Sequence, residues 1–162
     1  MIIRPATPAD VDAIVSITNE VIQDTLVTFT TELRTPAGIA ADIKGRSGHY
    51  LVAELRDQVV GFATFGPFRA GPGYAKTCEH TIQLSPDARG QGVGKALMKA
   101  LENVARDNGV HVLVAGISSA NPAAIAFHAA LGFAEVGRMP EVGRKWDQWL
   151  DLVLMQKILT PQ

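Results

Sequence analysis

A cluster of glycines in the middle of the chain restricts the fold more than any other feature of the sequence. It follows a strand-like run and leads into a long amphipathic helix pattern, and its residues are Arg89, Gly90, Gln91, Gly92, Val93, Gly94 and Lys95. Glycine permits a tight turn in which successive backbone N–H groups point inward. The N-terminus of the following helix adds roughly half a positive charge. The cluster is therefore typical of a metal-free pyrophosphate site, with a tight turn alone as the other interpretation.

Two other phosphate-binding motifs do not fit the cluster. A Walker A loop requires a glycine where Arg89 stands and a serine or threonine where Ala96 stands. A dinucleotide fingerprint requires a third glycine where Lys95 stands, and it follows the first strand of a domain rather than lying in mid-chain. The remaining pattern is Arg-x-x-Gly-x-Gly at a junction between a strand and a helix.

Helix and strand signals fill the chain nearly end to end. Helices are predicted after Thr7, Thr35 and Asn121, each followed by proline, and after the glycine cluster. Strands are predicted at residues 1–4, 50–55, 58–65, 77–84, 110–117, 133–136 and 149–155. The tight pair Arg56-Asp57 makes the second and third strands a hairpin. The order β-α-α-β-β-β-α-β-α-β-β predicts a mixed α/β sheet with helices on its faces.

Composition excludes several classes of protein. The 162 residues predict a single domain, 1–162, and the formal charge of -1 argues against a basic nucleic-acid-binding face. One cysteine, Cys78, cannot form an internal disulfide or a cysteine-based metal site, and the histidines are too scattered for a metal centre. We find neither a run of about 18 apolar residues nor a signal peptide. We therefore expect a cytoplasmic protein with no metal, no nucleic acid and no membrane among its partners.

Two motifs, in the right order, resemble those of the Gcn5-related N-acetyltransferase (GNAT) superfamily. Arg89, Gly92 and Gly94 match its acetyl-CoA signature, and Asn121 with a later Gly-Phe pair matches its second signature. The resemblance covers nearly the whole chain. It implies the GNAT fold, an α/β fold whose mixed central sheet splays at the acetyl-CoA site and carries helices on both faces. We expect irregular strand pairing beyond Gln83 to open a slot for the pantetheine arm.

A narrower resemblance concerns the phosphinothricin and methionine sulfoximine/sulfone acetyltransferase branch. It rests on residues 68–81, which contain Arg69 and a Glu-His-Thr run, and on residues 142–151. It implies acetyl-CoA-dependent transfer to the primary amine of a small anionic amino-acid-like substrate, and a homodimer. Gln83, Gly71 and Asp147 differ from residues common in the branch at positions near the pocket or its lid.

Glu79 is the candidate general base. It is a charged residue inside an apolar strand pattern, where burial without a partner is costly, and alternation places it on one face with Thr81. A carboxylate within hydrogen-bond reach can take a proton from an amine whose pKa is about 8. Periodicity alone fits an exposed glutamate equally well, and the resemblance implies the base. His128 is the second catalytic candidate, either as a proton donor to the departing thiolate or as a packing residue beside it.

The resemblance also implies two sets of binding residues. The cofactor set consists of the seven residues of the glycine cluster together with Ile82, Gln83, Leu84, Asn121 and His128. The substrate set consists of Phe29, Arg69, Tyr74, Glu79, His80 and Thr81. Within it, the Arg69 guanidinium is expected to hold the anionic groups of the substrate.

Three functions remain open from the sequence. The first is an N-acetyltransferase for methionine sulfone, methionine sulfoximine or phosphinothricin-like amines. The second is an enzyme of the same fold for an aminoglycoside, a polyamine or a protein N-terminus. The third is a non-catalytic acyl-CoA-binding sensor. A basic acceptor predicts an acidic pocket, whereas Arg69 predicts an anionic acceptor.

Overall fold

The computed structural model describes residues 1–160 and contains the predicted elements in the predicted order. The α-helices are α1 (Val11–Asp24), α2 (Pro36–Gly45), α3 (Val93–Asp107) and α4 (Pro122–Ala130). The strands are β1 (Ile2–Pro5), β2 (Tyr50–Leu55), β3 (Gln58–Pro67), β4 (Thr77–Leu84), β5 (Val112–Ser118), β6 (Ala134–Lys145) and β7 (Gln148–Ile158). No helix of these 160 residues is long and apolar enough to cross a membrane.

Local sequence explains where several of these elements begin and turn. Thr35 and Asn121 cap α2 and α4, because their side-chain oxygens accept hydrogen bonds from the backbone N–H three residues later. Arg56 and Asp57 have φ angles of 50° and 62°, the left-handed conformation of a two-residue hairpin turn. The predicted hairpin of β2 and β3 is confirmed.

The final hairpin differs from the prediction. The sequence predicts a strand that ends at Val136, whereas β6 extends to Lys145. Pro140 and Gly143 argue against a longer strand at the level of sequence, since both residue types are uncommon inside strands. β6 lies at the edge of the sheet, and its register shifts between Met139 and Gly143, which accommodates the proline. Pairing with β7 therefore overrides the local propensity.

The seven strands form one sheet in the order β1-β2-β3-β4-β5-β7-β6. The pair β4 and β5 is parallel, and the other neighbours are antiparallel. Alternate residues of β2 serve opposite faces: Leu51 and Ala53 join the core under α3, whereas Tyr50 and Val52 join the core under α1 and α2. The predicted mixed sheet with helices on both faces is confirmed.

The sheet splays between β4 and β5. The two strands pair only from Thr77 to Glu79 of β4 and then separate, so the opening begins earlier than the predicted point beyond Gln83. β4 stays paired with β3 as far as Leu84, and β5 stays paired with β7 as far as Ser118. Each strand thus keeps the hydrogen bonds on its outer side while the inner sides part. The inner edges of both strands are available to a ligand.

Candidate active site

A cavity of about 970 Å³ opens where β4 and β5 separate. Its wall is built from both strands, the glycine turn, the first residues of α3, part of α4 and the segment that follows α1. It brings together most of the predicted site residues: Phe29, Glu79, His80, Thr81, Ile82, Gln83, Leu84, Arg89, Gly90, Gly92, Val93, Gly94, Lys95, Asn121 and His128. Three predicted residues, Gln91, Arg69 and Tyr74, do not line it.

The glycine turn has a geometry suited to an anion. Gly90 and Gly92 have φ angles of 76° and 77°, which favour glycine, and Gly92 directly precedes α3. The first N–H groups of a helix have no partner within the helix, and its dipole attracts negative charge there. A methyl group on Gly94 would lie 3.1 Å from the Phe127 ring, so this glycine lets α3 approach α4 closely. These residues fit a pyrophosphate group.

Backbone groups on both sides of the slot point into it. The N–H of Ser85 bonds to β3, so alternation along β4 turns the backbone groups of Ile82 and Leu84 the other way, towards β5. On β5, the backbone N–H of Ser119 bonds to β7. By the same alternation, the backbone groups of Gly116 and Ser118 point towards β4. The two strands are not paired at these positions. Such edges fit an extended ligand that carries amide groups.

Glu79 faces the cavity at the point where the slot opens. Its carboxylate has no hydrogen-bond or ion-pair partner among residues 1–160. Partial burial raises the pKa of the Glu79 carboxyl above its ordinary value. Its Oε1 lies 3.0 Å from the position that a Cβ on Gly116 would occupy, so the missing side chain makes room for the carboxylate. A carboxylate with no partner and a raised pKa is suited to accept a proton.

His80 and His128 form a buried pair beside the slot. Their Nε2 atoms are 2.9 Å apart, and Nδ1 of His128 lies 2.8 Å from the carbonyl oxygen of Ala124. Because a carbonyl only accepts, His128 carries its proton on Nδ1, and its Nε2 accepts the hydrogen bond that His80 Nε2 donates. Nδ1 of His80 is then left without a partner. Burial, with a smaller effect from the His128 ring, lowers the pKa of His80 to about 3.

This arrangement bears on the two predicted roles of His128. Both ring nitrogens of His128 are engaged within the protein, and burial lowers its pKa. A proton donor to a thiolate needs an N–H that faces the cavity, and the pair offers none. The geometry therefore supports the packing role for His128 and does not support the proton-donor role.

The predicted residues outside the cavity have other contacts. The Arg69 guanidinium lies over the Tyr74 ring, 5.6 Å from its centroid, on the exposed loop between β3 and β4. A charged head without a buried acidic partner stays in water. The Gln91 side chain folds back and donates to the carbonyl oxygen of Asp87. Neither Arg69 nor Tyr74 lines the cavity in this chain.

Lys145 is a residue for which the sequence indicates no role. Its side chain is fully buried, and its Nζ donates to the Ile22 carbonyl at 2.7 Å and to the Thr28 hydroxyl at 3.0 Å. Burial lowers the pKa of the Lys145 ammonium. The Ile22 carbonyl belongs to the last turns of α1, where the helix dipole favours a cation. The lysine thereby holds the segment with Thr28 and Phe29 against β6.

The chain resembles known acetyltransferases over nearly its whole length. Residues 15–133 match the Acetyltransferase (GNAT) family. The L-methionine sulfoximine/L-methionine sulfone acetyltransferase of Pseudomonas aeruginosa is 37% identical, over 98% of this chain and 95% of its own. The ribosomal-protein-alanine N-acetyltransferase of Brucella melitensis superposes with a TM-score of 0.94 at 41% identity, covering 98% of this chain and 100% of that chain. A phosphinothricin acetyltransferase from Sinorhizobium meliloti, solved with acetyl-CoA, superposes with a TM-score of 0.91 at 35% identity. The match covers 98% of this chain and 88% of that chain.

The chain belongs to the acetyltransferase (GNAT) family and is an acyltransferase that uses acetyl-CoA. Its relatives within the family are named as methionine sulfoximine/sulfone and phosphinothricin acetyltransferases, so the predicted branch is confirmed. The glycine turn and the two unpaired strand edges of this chain fit that cofactor.

Proposed function

We propose that this enzyme acetylates the primary amine of a small anionic amino-acid-like substrate, with Glu79 as general base. The substrate class is methionine sulfone, methionine sulfoximine or phosphinothricin. The observation that carries the proposal is the Glu79 carboxylate, which has no partner within residues 1–160 and faces the cavity where the slot begins. The names of the relatives support the substrate class.

Different residues of the site hold the acetyl donor and accept the proton of the amine. Acetyl-CoA supplies an activated thioester when it is bound. The glycine cluster and the edges of β4 and β5 hold and orient this donor along the slot, with Asn121 at the start of α4 beside it. Glu79 takes a proton from the substrate ammonium, whose pKa is about 8, directly or through one water. The neutral amine would then form the new C–N bond as the C–S bond breaks. Its surplus proton would pass to the departing thiolate, which leaves as the CoA thiol, so no covalent enzyme intermediate is needed.

Replacement of the base tests the proposal. Glu79→Gln keeps the size of the side chain and removes the proton acceptor, so kcat should fall by about 100-fold to 10,000-fold. Calorimetry should find the affinity for acetyl-CoA unchanged. The matched control is Glu20→Gln, an exposed glutamate of α1 outside the cavity, which should behave as wild type. A wild-type kcat in Glu79→Gln, measured by thiol release, would refute the role of Glu79 as general base.

A panel of acceptors tests the substrate class. The name of the Brucella melitensis structure favours one specific alternative, a protein N-terminus that begins with alanine. Thiol release should be fastest with methionine sulfone, methionine sulfoximine or phosphinothricin, and slower with an alanine-initiated peptide, an aminoglycoside or a polyamine. Preference for the peptide would replace the proposed substrate class. Tight binding of acetyl-CoA without turnover on any acceptor would instead indicate the sensor.

We also propose that the enzyme is a homodimer. The last two strands expose several large apolar side chains, which association with a second copy of the chain would bury. They include Val136, Met139, Val142, Trp149 and Ile158. Light scattering should give twice the monomer mass, and Val142→Glu should shift the protein towards the monomer. A wild-type protein that remains monomeric at high concentration would refute the dimer.

A further inference from the structure

A second cavity of about 230 Å³ lies between the sheet and the two helices α1 and α2. Three residues, Thr28, Thr81 and Gln83, line both this cavity and the main one. The two spaces therefore adjoin along β4, on the face that carries Glu79. We name the smaller space the side pocket.

The side pocket contains polar side chains that lack partners. Thr18 of α1 is 8% exposed, lines the pocket, and has a buried hydroxyl oxygen that bonds to no other group. The Oε1 atom of Gln83 is also buried without a partner. A buried polar atom without a partner costs about 1–3 kcal/mol, so both atoms call for a ligand or for water. A pocket of this volume holds about eight waters at roughly 30 Å³ each, which leaves room for a small polar group.

The charges around the side pocket leave one cation unbalanced. Arg34 and Asp42 pair with each other at 2.7 Å between Nη2 and Oδ2. Burial, and next the nearby Asp42, raise the pKa of Tyr50 to about 12, so its hydroxyl is neutral at pH 7. Arg46 has no ion pair among residues 1–160, and its guanidinium lies against Gly66 of β3. The pocket therefore favours a group with several oxygens that accept hydrogen bonds.

The side pocket lies at the right distance from the proposed base. Glu79 and Thr81 are two residues apart on one face of β4, which corresponds to about 6.6 Å. In methionine sulfone and phosphinothricin, four bonds of about 1.5 Å separate the amine nitrogen from the sulfur or phosphorus, a span of roughly 5 Å. An amine at Glu79 would thus bring the oxygen-bearing group to Thr81 and Thr28, at the entrance of the pocket.

We propose that the side pocket is the subsite for the sulfonyl, sulfoximine or phosphinate group of the acceptor, with Arg46 and Thr18 as its specificity residues. This inference rests on the proposed function. It replaces the role expected of Arg69, whose guanidinium lies on the exposed loop. The Arg46 guanidinium and the Thr18 hydroxyl donate to the oxygens of the group. The buried Oε1 of Gln83 only accepts, so it takes its hydrogen bond from the N–H of a sulfoximine or from a water.

The test compares two acceptors that differ only in the oxygens on sulfur. Methionine sulfone and methionine are assayed with wild type, Arg46→Gln, Thr18→Val and the matched control Arg56→Gln, an exposed arginine of the turn between β2 and β3 that lines neither cavity. In Arg46→Gln the ratio of kcat/KM for sulfone over methionine should fall by about 10-fold to 100-fold, the equivalent of a hydrogen bond to a charged group. In Thr18→Val it should fall by about 3-fold to 10-fold, as for a neutral hydrogen bond. Arg56→Gln should leave the ratio unchanged.

Other outcomes separate the subsite from the proposed function. If Arg46→Gln lowers kcat/KM equally for both acceptors, or lowers it for neither, the ratio stays unchanged. That result would overturn the subsite and indicate that the pocket holds only water. Thr18→Val should keep the Tm of wild type, because it removes a hydroxyl without a partner, so a lost ratio in that variant is not a folding defect. If wild type turns over neither acceptor, calorimetry with methionine sulfone decides. If methionine sulfone binds to wild type and binds more weakly to Arg46→Gln, the subsite is supported although the proposed function fails. If methionine sulfone does not bind to wild type, both are overturned.

Discussion

Gly116→Ala tests whether the Glu79 carboxylate must lie where the structure has it. An ideal Cβ on Gly116 would be 3.0 Å from Glu79 Oε1, and ordinary contacts begin at 3.4 Å, so the carboxylate must retreat by 0.4 Å (3.4 minus 3.0). A misplacement of about 1 Å costs roughly 100-fold in rate, so this retreat corresponds to about 6-fold on a logarithmic scale. We therefore expect kcat to fall by about 3-fold to 10-fold, on the same scale.

Stability should change in the opposite direction from activity. Alanine in place of glycine inside a strand adds up to about 1 kcal/mol to the free energy of unfolding, so the Tm should not fall. The matched control is Gly137→Ala on β6, where no atom lies within 4 Å of the added Cβ. Thiol release at saturating substrates gives kcat, and calorimetry gives the affinity for acetyl-CoA, which should stay at the wild-type value.

Two results would contradict the reasoning about Gly116. Wild-type kcat in Gly116→Ala, together with an inactive Glu79→Gln, would show that the carboxylate acts from a different position. A lower kcat with an equally lowered affinity for acetyl-CoA would show that the methyl group obstructs the slot rather than displacing the base.

Three further predictions concern the pH profile, the histidine pair and the glycine turn. Because the ionised Glu79 is the active form and its pKa is raised, kcat/KM should fall with decreasing pH in a limb above pH 4.5 that Glu79→Gln lacks. His128→Leu leaves the buried N–H of His80 without an acceptor, so thermal denaturation should show a loss of about 1–3 kcal/mol while kcat stays within a few-fold; a 100-fold loss of kcat would restore the proton-donor role. Gly92→Val places a β-branched residue at a φ of 77°. It should raise the Kd for acetyl-CoA by about 5-fold to 30-fold, and an unchanged Kd would argue against the turn as the anion site.

The elements of this fold could be predicted because their signals are local. Proline after a capping threonine or asparagine, and the helical spacing in α1 and α3, depend on neighbours within a few residues. The same holds for the glycine cluster, since φ angles near 76° favour glycine, and for the polar pair Arg56-Asp57, which lies between two strand patterns. The end of β6 was missed because its cause, pairing with β7, lies outside the segment.

The residues that shape the site were harder to predict, because they meet across long distances in the chain. His80 and His128 are 48 positions apart, and only the packing of α4 on the sheet brings their rings together. Lys145 reaches Ile22 over 123 positions, and no periodic pattern signals a buried cation. The absence of a side chain at Gly116 matters only because the Glu79 carboxylate, on the neighbouring strand, lies beside it.

The sequence by itself determined that a glycine turn would join a strand to a helix, and that a glutamate would lie on that strand. It also determined the order of helices and strands, because backbone conformation and side-chain period are set within short segments. The tertiary structure alone decided where β4 and β5 part, and that Arg46 rather than Arg69 lines the side pocket. The physical reason is that strand divergence, burial and ion pairing depend on which distant segments the fold brings into contact.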